Sequence, residues 1–245
     1  MSDEEGRISR LCRSAQERLE PRSRSLDELR QARTEAAIEA EEALRLAEER
    51  WGTNESRLVP ILALLAECVQ EVSYGVHDDK PLPHLLRAIT IAESLPTHDL
   101  GQLGSLYRQT GLALRTAGNL EGARELLEKS VKAFEGLGRT GDVCFCVGAL
   151  ARTLTMISPT EALPVCRRYL ELEASDKPKS TSHYAALANL GRCLVLVGNG
   201  EEALSVLNEA KTILLERSKG RPHPWIAELE SEMDEARALL EEKSK

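Results

Sequence analysis

A chain of 245 residues with 42% hydrophobic and 29% charged side chains has ample material for burial and a well-solvated surface. Its 40 acidic against 32 basic residues leave a formal charge of −8, which argues against broad attraction to nucleic acid. Aromatics are only 3%, so platforms for stacking bases are scarce as well.

Strand-like alternation is missing and Ala, Leu, Glu and Arg dominate, so the chain reads as helix nearly throughout. The opening Met1-Ser-Asp-Glu-Glu-Gly6 is acidic, has no apolar core and does not read as a signal peptide. Ile8 to Leu19 reads as a weak first helix with Ile8, Leu11, Cys12 and Ala15 on one face, while Arg/Ser-rich Pro21 to Ser25 reads equally as a floppy joint. Residues 1–24 are therefore expected to be an N-terminal flank or a weak helix. Ser25-x-x-Glu28 fits a capping box opening a helix to about Arg50, with Ala36, Ala40 and Ala43 along one side. Leu62-Leu65-Ala66-Val69 starts a further pair whose second helix, Leu82 to Leu95, carries Leu85 and Ala88 after a long loop at Tyr74 to Pro83. The apolar stretch near Val59 to Val69 contains Glu67 and is too short to span a bilayer.

From here one apolar stencil recurs. Tyr107-Thr110-Gly111-Leu114, Val147-Leu150-Ala151-Leu154 and Leu187-Leu190-Gly191-Leu194 put a small residue third and Leu fourth, with spacings 151−111 = 40 and 191−151 = 40. Each stencil helix, termed A, is followed by a short turn and a second helix, B. The B helices carry Ala123-Leu127-Ser130, Ala162-Cys166-Tyr169 and Ala203-Leu207-Ala210, spacings of four and three that form a stripe on one face. Neither helix buries its stripe alone, and small residues on both let the backbones approach. A period of this length indicates a stacked repeat array, whose work is usually to hold another protein. At the far end Ile226-Leu229-Glu230-Met233 matches the stencil except that Glu occupies the small place, so Pro224 to about Glu242 is expected to cover the last repeat.

Gly111 with Leu114, Gly118-Asn119, Ala123 and Leu127 resembles the tetratricopeptide repeat (TPR), as does Leu190-Gly191 through Gly198, Ala203 and Ala210. The middle unit departs by Ala151 in place of Gly and by a shorter turn at Ser158-Pro159-Thr160. The long period, and the string Ala188-Asn189-Leu190-Gly191, resemble kinesin-light-chain-type repeats. The resemblance implies an all-α fold: a right-handed α-α superhelix, a TPR-like solenoid of stacked antiparallel helix pairs with a C-terminal capping helix. The solenoid would occupy residues 25–245, with core repeats at about 57–96, 102–137, 142–175 and 182–218 and the cap at about 223–243. In that family the A helices line a concave groove where ligands lie extended. Displaced from the packing stencil, the inward stripe falls at Arg108, Leu112 and Arg115, then Gly148, Arg152 and Thr155, then Ala188, Arg192 and Val195, with Gln109 and Asn189 flanking. The expected groove residues are Arg108, Gln109, Arg115, Arg152, Asn189 and Arg192. Arginines suit carboxylates, which they bind through paired, charge-assisted hydrogen bonds. Asn189 matches the place where clamp-like members hold a ligand's backbone. The preceding A helix offers Ala63, Glu67 and Gln70 instead, so the basic character is confined to the later helices.

No catalytic or metal-binding motif is present. His77, His84, His98, His183 and His223 form no His-x-x-x-His pair, four of them fall in or beside the breaks, and they read as ordinary polar loop residues; no phosphate loop or nucleophile elbow occurs. Cys144 and Cys146, two apart on a helix, point to opposite sides and read as packed thiols. Six cysteines in a chain this long read as reduced, which with the acidic start suggests a cytoplasmic protein. Trp225 reads as an anchor for the end helix. The expectation is a non-enzymatic interaction module, without cofactor or metal, binding an extended and acidic peptide or partner segment, with no nucleic-acid or membrane partner. Two alternatives stand beside it: a self-associating scaffold using Ala36, Ala40, Ala43 and Ala47 as a seam, and a peptide-sensing regulator.

Overall fold

The computed structural model describes residues 3–20, 25–70, 78–176, 180–219, 221 and 223–243. Most of the expected joint at Pro21 to Ser25, and the first four residues of the loop Tyr74 to Pro83, lie outside them, as does His77. Among the described residues every regular element is a helix, and the chain divides after Gly138 into two compact units.

The first unit holds α1 (Asp3–Leu19), α2 (Leu26–Trp51), α3 (Leu58–Val69), α4 (Leu82–Ser94), α5 (Leu100–Thr116) and α6 (Leu120–Gly136). Each packs on the next, and α1 also touches α3. The second holds α7 (Thr140–Ile157), α8 (Pro159–Asp176), α9 (Thr181–Leu196), α10 (Gly200–Ser218) and α11 (Pro224–Lys243), again packed in succession, with α7 against α9 and α9 against α11. The A helices are thus α3, α5, α7 and α9, with α11 placed as the next in the series.

Local chemistry sets the boundaries. Ser25 and Glu28 form the reciprocal capping box, Ser25 Oγ accepting from the Glu28 amide at 3.3 Å and the Ser25 amide donating to Glu28 Oε2 at 2.6 Å. Asp99, Asn119 and Ser180 cap α5, α6 and α9 through their side-chain oxygens. The turns that end α5 and α9 share one geometry: Gly118 and Gly198 take φ of +79° and +78°, and Asn119 and Asn199 donate back to Leu114 and Leu194 at 2.8 and 2.9 Å. A left-handed residue there turns the chain antiparallel within two residues. Between α7 and α8 only Ser158 intervenes, because Pro159 is preset for the first helical position.

The small residues of the stencil are notches for the B helices. A Cβ on Gly111 would lie 2.8 Å from Leu127 Cγ, and one on Gly191 would lie 2.6 Å from Leu207 Cγ. In the middle pair Ala151 replaces the glycine and Cys166 replaces the leucine, both fully buried. Volume added on one side is removed from the other. One turn earlier the exchange runs the opposite way: Gly148 leaves room for Tyr169, whose Cζ would sit 2.7 Å from an added Cβ. Each fully buried leucine of this kind contributes about 1.5–3 kcal/mol. Hydroxyls inside the pairs are satisfied locally, Ser130 Oγ donating to the Gly104 carbonyl at 2.7 Å and Thr153 to Ala149 at 2.9 Å.

Two expectations are corrected here. Ala36, Ala40, Ala43 and Ala47 expose nothing, because Ile8 and Ala15 of α1 and Leu65 of α3 pack on that stripe. It is an internal seam, and not a surface for a second copy. His183 is no loop residue either. It lies in the first turn of α9, buried, with its amide donating to Ser180 Oγ at 3.0 Å and Nε2 3.9 Å from Glu209 on α10.

Candidate functional site

The packing stencil uses one face of each A helix; beside it lies a second face, which on α7 is partly met by Tyr169 of its own partner α8. In register with the small residues at 66, 111, 151 and 191, the next positions are Glu67, Leu112, Arg152 and Arg192. In the first unit this face is a cleft of about 250 Å³ between α3 and α5, floored by α4. Ala66, Glu67 and Gln70 line one wall, Gln109, Leu112 and Ala113 the other, and Leu85 and Pro81 the floor.

Of the residues expected in the groove, Gln109 borders this cleft. Arg108, one residue earlier, is turned toward α6, its guanidinium carbon 5.6 Å from the centre of the Phe134 ring. Arg115 is half-buried in the last turn of α5. The other three belong to the second unit. The Arg152 guanidinium lies beside the phenol of Tyr169, whose ring reaches across Gly148. Burial, reinforced by Glu173, pushes that phenol up to about 12, with Arg152 opposing. Glu173 itself is buried and accepts a hydrogen bond from the Cys144 thiol at 3.1 Å. Asn189, half-buried on α9, has its Nδ2 buried without a partner among the described residues. Arg192, one turn further, is exposed, with Nε 4.0 Å from Glu232 of α11.

Sequence reasoning missed Tyr169 and Glu232 as participants. The signal for the tyrosine was Gly148 itself, standing where the other A helices carry Arg108 and Ala188. For Glu232 the signal was the period itself, 232−192 = 40, obscured because α11 breaks the stencil. That helix is held by buried Leu229, Met233 and Ala236, by Lys211 donating to the solvated Glu230 at 2.7 Å, and by Trp225 stacked on Tyr184 with ring centres 5.5 Å apart.

Burial pushes the Glu232 carboxyl up to about 7; Arg192 pulls it down, and Glu235 and Glu228 add repulsion. An unfolded glutamate titrates near about 4.3. The folded chain therefore holds this proton more tightly, and its contribution is full below that value and lost as pH rises through about 7. Glu232→Gln is expected to gain on the order of 1–2 kcal/mol over wild type between pH 5 and pH 8, allowing for solvent screening of a side chain that is 21% exposed. Urea unfolding at both pH values reads this directly, and parallel pH profiles for the two proteins would contradict it.

Among the described residues no group of three His, Cys, Asp or Glu side chains is placed to hold a metal ion. Among the described residues one helix, Thr140–Ile157, is long and apolar enough to cross a membrane by length and composition, yet 61% of it is buried against its neighbours, as befits the core helix of the second unit.

No family profile matches the chain, and no curated protein matches its sequence. Solved structures do match its fold. The TPR-like repeats of a kinesin light chain from Podospora anserina superpose with a TM-score of 0.67 at 17% identity, over 89% of this chain and 99% of that one. BtubC from P. vanneervenii gives 0.57 at 16% identity, over 99% and 90%. The apo form of RapI gives 0.64 at 13% identity, over 98% and 72%. These likenesses establish a TPR-like helical-repeat fold.

Proposed function

We propose that this chain is a non-catalytic, cytoplasmic interaction module that takes an extended segment of a partner protein against the second faces of its A helices. The observation that carries the reading is the α3–α5 cleft, a preformed hollow bordered by Gln109 and left open after the helix pairs have packed. Preformed helices spare the ordering cost on this side of the complex, so modest contacts suffice for useful affinity. A protein of similar fold, a Rap protein, is recorded in complex with Competence and Sporulation Factor, at a TM-score of 0.52 and 14% identity. A protein-interaction role also fits six free thiols, four of them buried, which suit a reducing compartment.

In the second unit the partner's acidic side chains would pair with Arg152 and Arg192, and its main chain with Asn189. Arg192 already faces Glu232, so an incoming carboxylate competes with an internal one. Arg108 and Arg115 are assigned the same role in the first unit.

An array of ten-residue peptides of systematically varied charge tests this. Wild type is expected to select sequences containing Asp or Glu, and the double variant Arg152→Glu, Arg192→Glu to lose that selection by about tenfold at low salt, two charge-assisted contacts being reversed. Indifference of wild type to acidic residues would sink the assignment.

A further inference from the structure

The A-helix position just after the small residue changes sign along the chain. It is Glu67 on α3, Leu112 on α5, Arg152 on α7 and Arg192 on α9. The cleft in the first unit therefore has a chemistry opposite to that of the second unit's face. Glu67 is the one ionisable side chain among its described lining residues. Among the described residues no cation pairs with the Glu67 carboxylate; Arg33 of α2 donates instead to the main-chain oxygens of Glu67 and Gln70, and it lines the neighbouring hollow with Arg30 and Lys80. Beside the carboxylate stand the two carboxamides of Gln70 and Gln109, whose oxygens accept hydrogen bonds. Below them Leu85, Leu112 and Ala113 make an apolar bed.

A long aliphatic stem ending in a cation matches each part. Its methylenes cover the apolar bed, while its charged head reaches the carboxylate and amide oxygens at the rim. A hollow of about 250 Å³ is below the size of sites that take whole small-molecule ligands, and it suits a single side chain. We infer that the α3–α5 cleft binds a lysine or arginine side chain of the partner segment. This rests on the reading of the chain as an interaction module and adds that the partner carries a basic side chain where it enters the α3–α5 cleft, beside the acidic ones assigned to the arginines.

The test is titration of the full ¹⁵N-labelled chain with three probes: N-acetyl-lysine methylamide, N-acetyl-norleucine methylamide, which keeps the four-carbon stem and lacks the ammonium, and N-acetyl-glutamate methylamide. The lysine probe is expected to shift the side-chain amides of Gln70 and Gln109 and the backbone amide of Ala113, and to bind about threefold more tightly than norleucine. Glu67→Gln, at an exposed position, should remove that difference while leaving norleucine binding unchanged. Equal affinity of the lysine and norleucine probes, lysine binding that ignores Glu67→Gln, or shifts away from the cleft would each overturn the inference. The glutamate probe reports on Arg152 and Arg192. Its failure counts against the acidic-partner assignment alone, whereas a lysine probe that fails while glutamate maps to those arginines removes only the present inference.

Discussion

Phe134→Ala is expected to cost about 3–5 kcal/mol of stability, a large share of what a domain typically has. The ring is fully buried on α6, and a Cβ on Gly104 of α5 would lie only 3.1 Å from its Cε1 and Cζ. Removing it opens a cavity between two paired helices that cannot close, because backbone groups on both sides are fixed by their own hydrogen bonds. It also takes away the face on which Arg108 rests. The chain has two tryptophans, Trp51 in the first unit and Trp225 in the second, so each unit can be followed by its own fluorescence. In a Trp225→Phe background, Phe134→Ala should move the urea midpoint seen by Trp51 with the slope unchanged. A loss below about 1 kcal/mol would mean that the ring is not what fills the α5–α6 interface.

The corresponding loss in the second unit is expected from Leu207→Ala, at about 2–5 kcal/mol. Leu207 is fully buried on α10 and occupies the notch left by Gly191 on α9. Followed through Trp225, which stacks on Tyr184 at the other end of the same helix, the variant should unfold at markedly lower urea. Wild-type stability would show that the notch is not filled by this side chain.

How much of this was legible in the residues depends on the kind of interaction. The helix pairs were legible because close packing imposes a period: small residues at 111, 151 and 191 and large or small partners at 127, 166 and 207 answer one another in the sequence. Caps and turns were legible for the same reason, each being a short-range bond with strict geometry, as at Ser25 and Glu28. The capping role of Pro224–Lys243 followed from a single broken rule, Glu230 in the small position.

The faces used for recognition were less so. A stripe calculated from helical geometry places Arg108, Arg152 and Arg192 at the surface but does not say what they turn toward. Each has a neighbour from another element: Phe134 on α6, Tyr169 on α8 and Glu232 on α11. Phe134 and Tyr169 lie 26 and 17 residues from their arginines, off the 40-residue period, so no pattern announced them; Glu232 does lie one period from Arg192, but in a helix whose stencil is broken. His183 illustrates the same limit, since its burial depends on a helix beginning at Thr181 and on α10 lying across it. The alanines of α2 were seen as a stripe, and only the packing of α1 and α3 shows that the stripe is used within the chain.

The helix pairs depend on one device, a large B-helix side chain seated in a notch on the A helix, and a double-mutant cycle on Gly191 and Leu207 tests it most directly. In wild type Gly191→Ala should destabilise by about 1–3 kcal/mol, since the new methyl group meets Leu207. In the Leu207→Ala background the same change should be neutral or stabilising by up to about 1 kcal/mol, because the space is vacant and alanine favours helix. That reversal of sign is the predicted result. Equal destabilisation in both backgrounds, additive within about 0.5 kcal/mol, would contradict it.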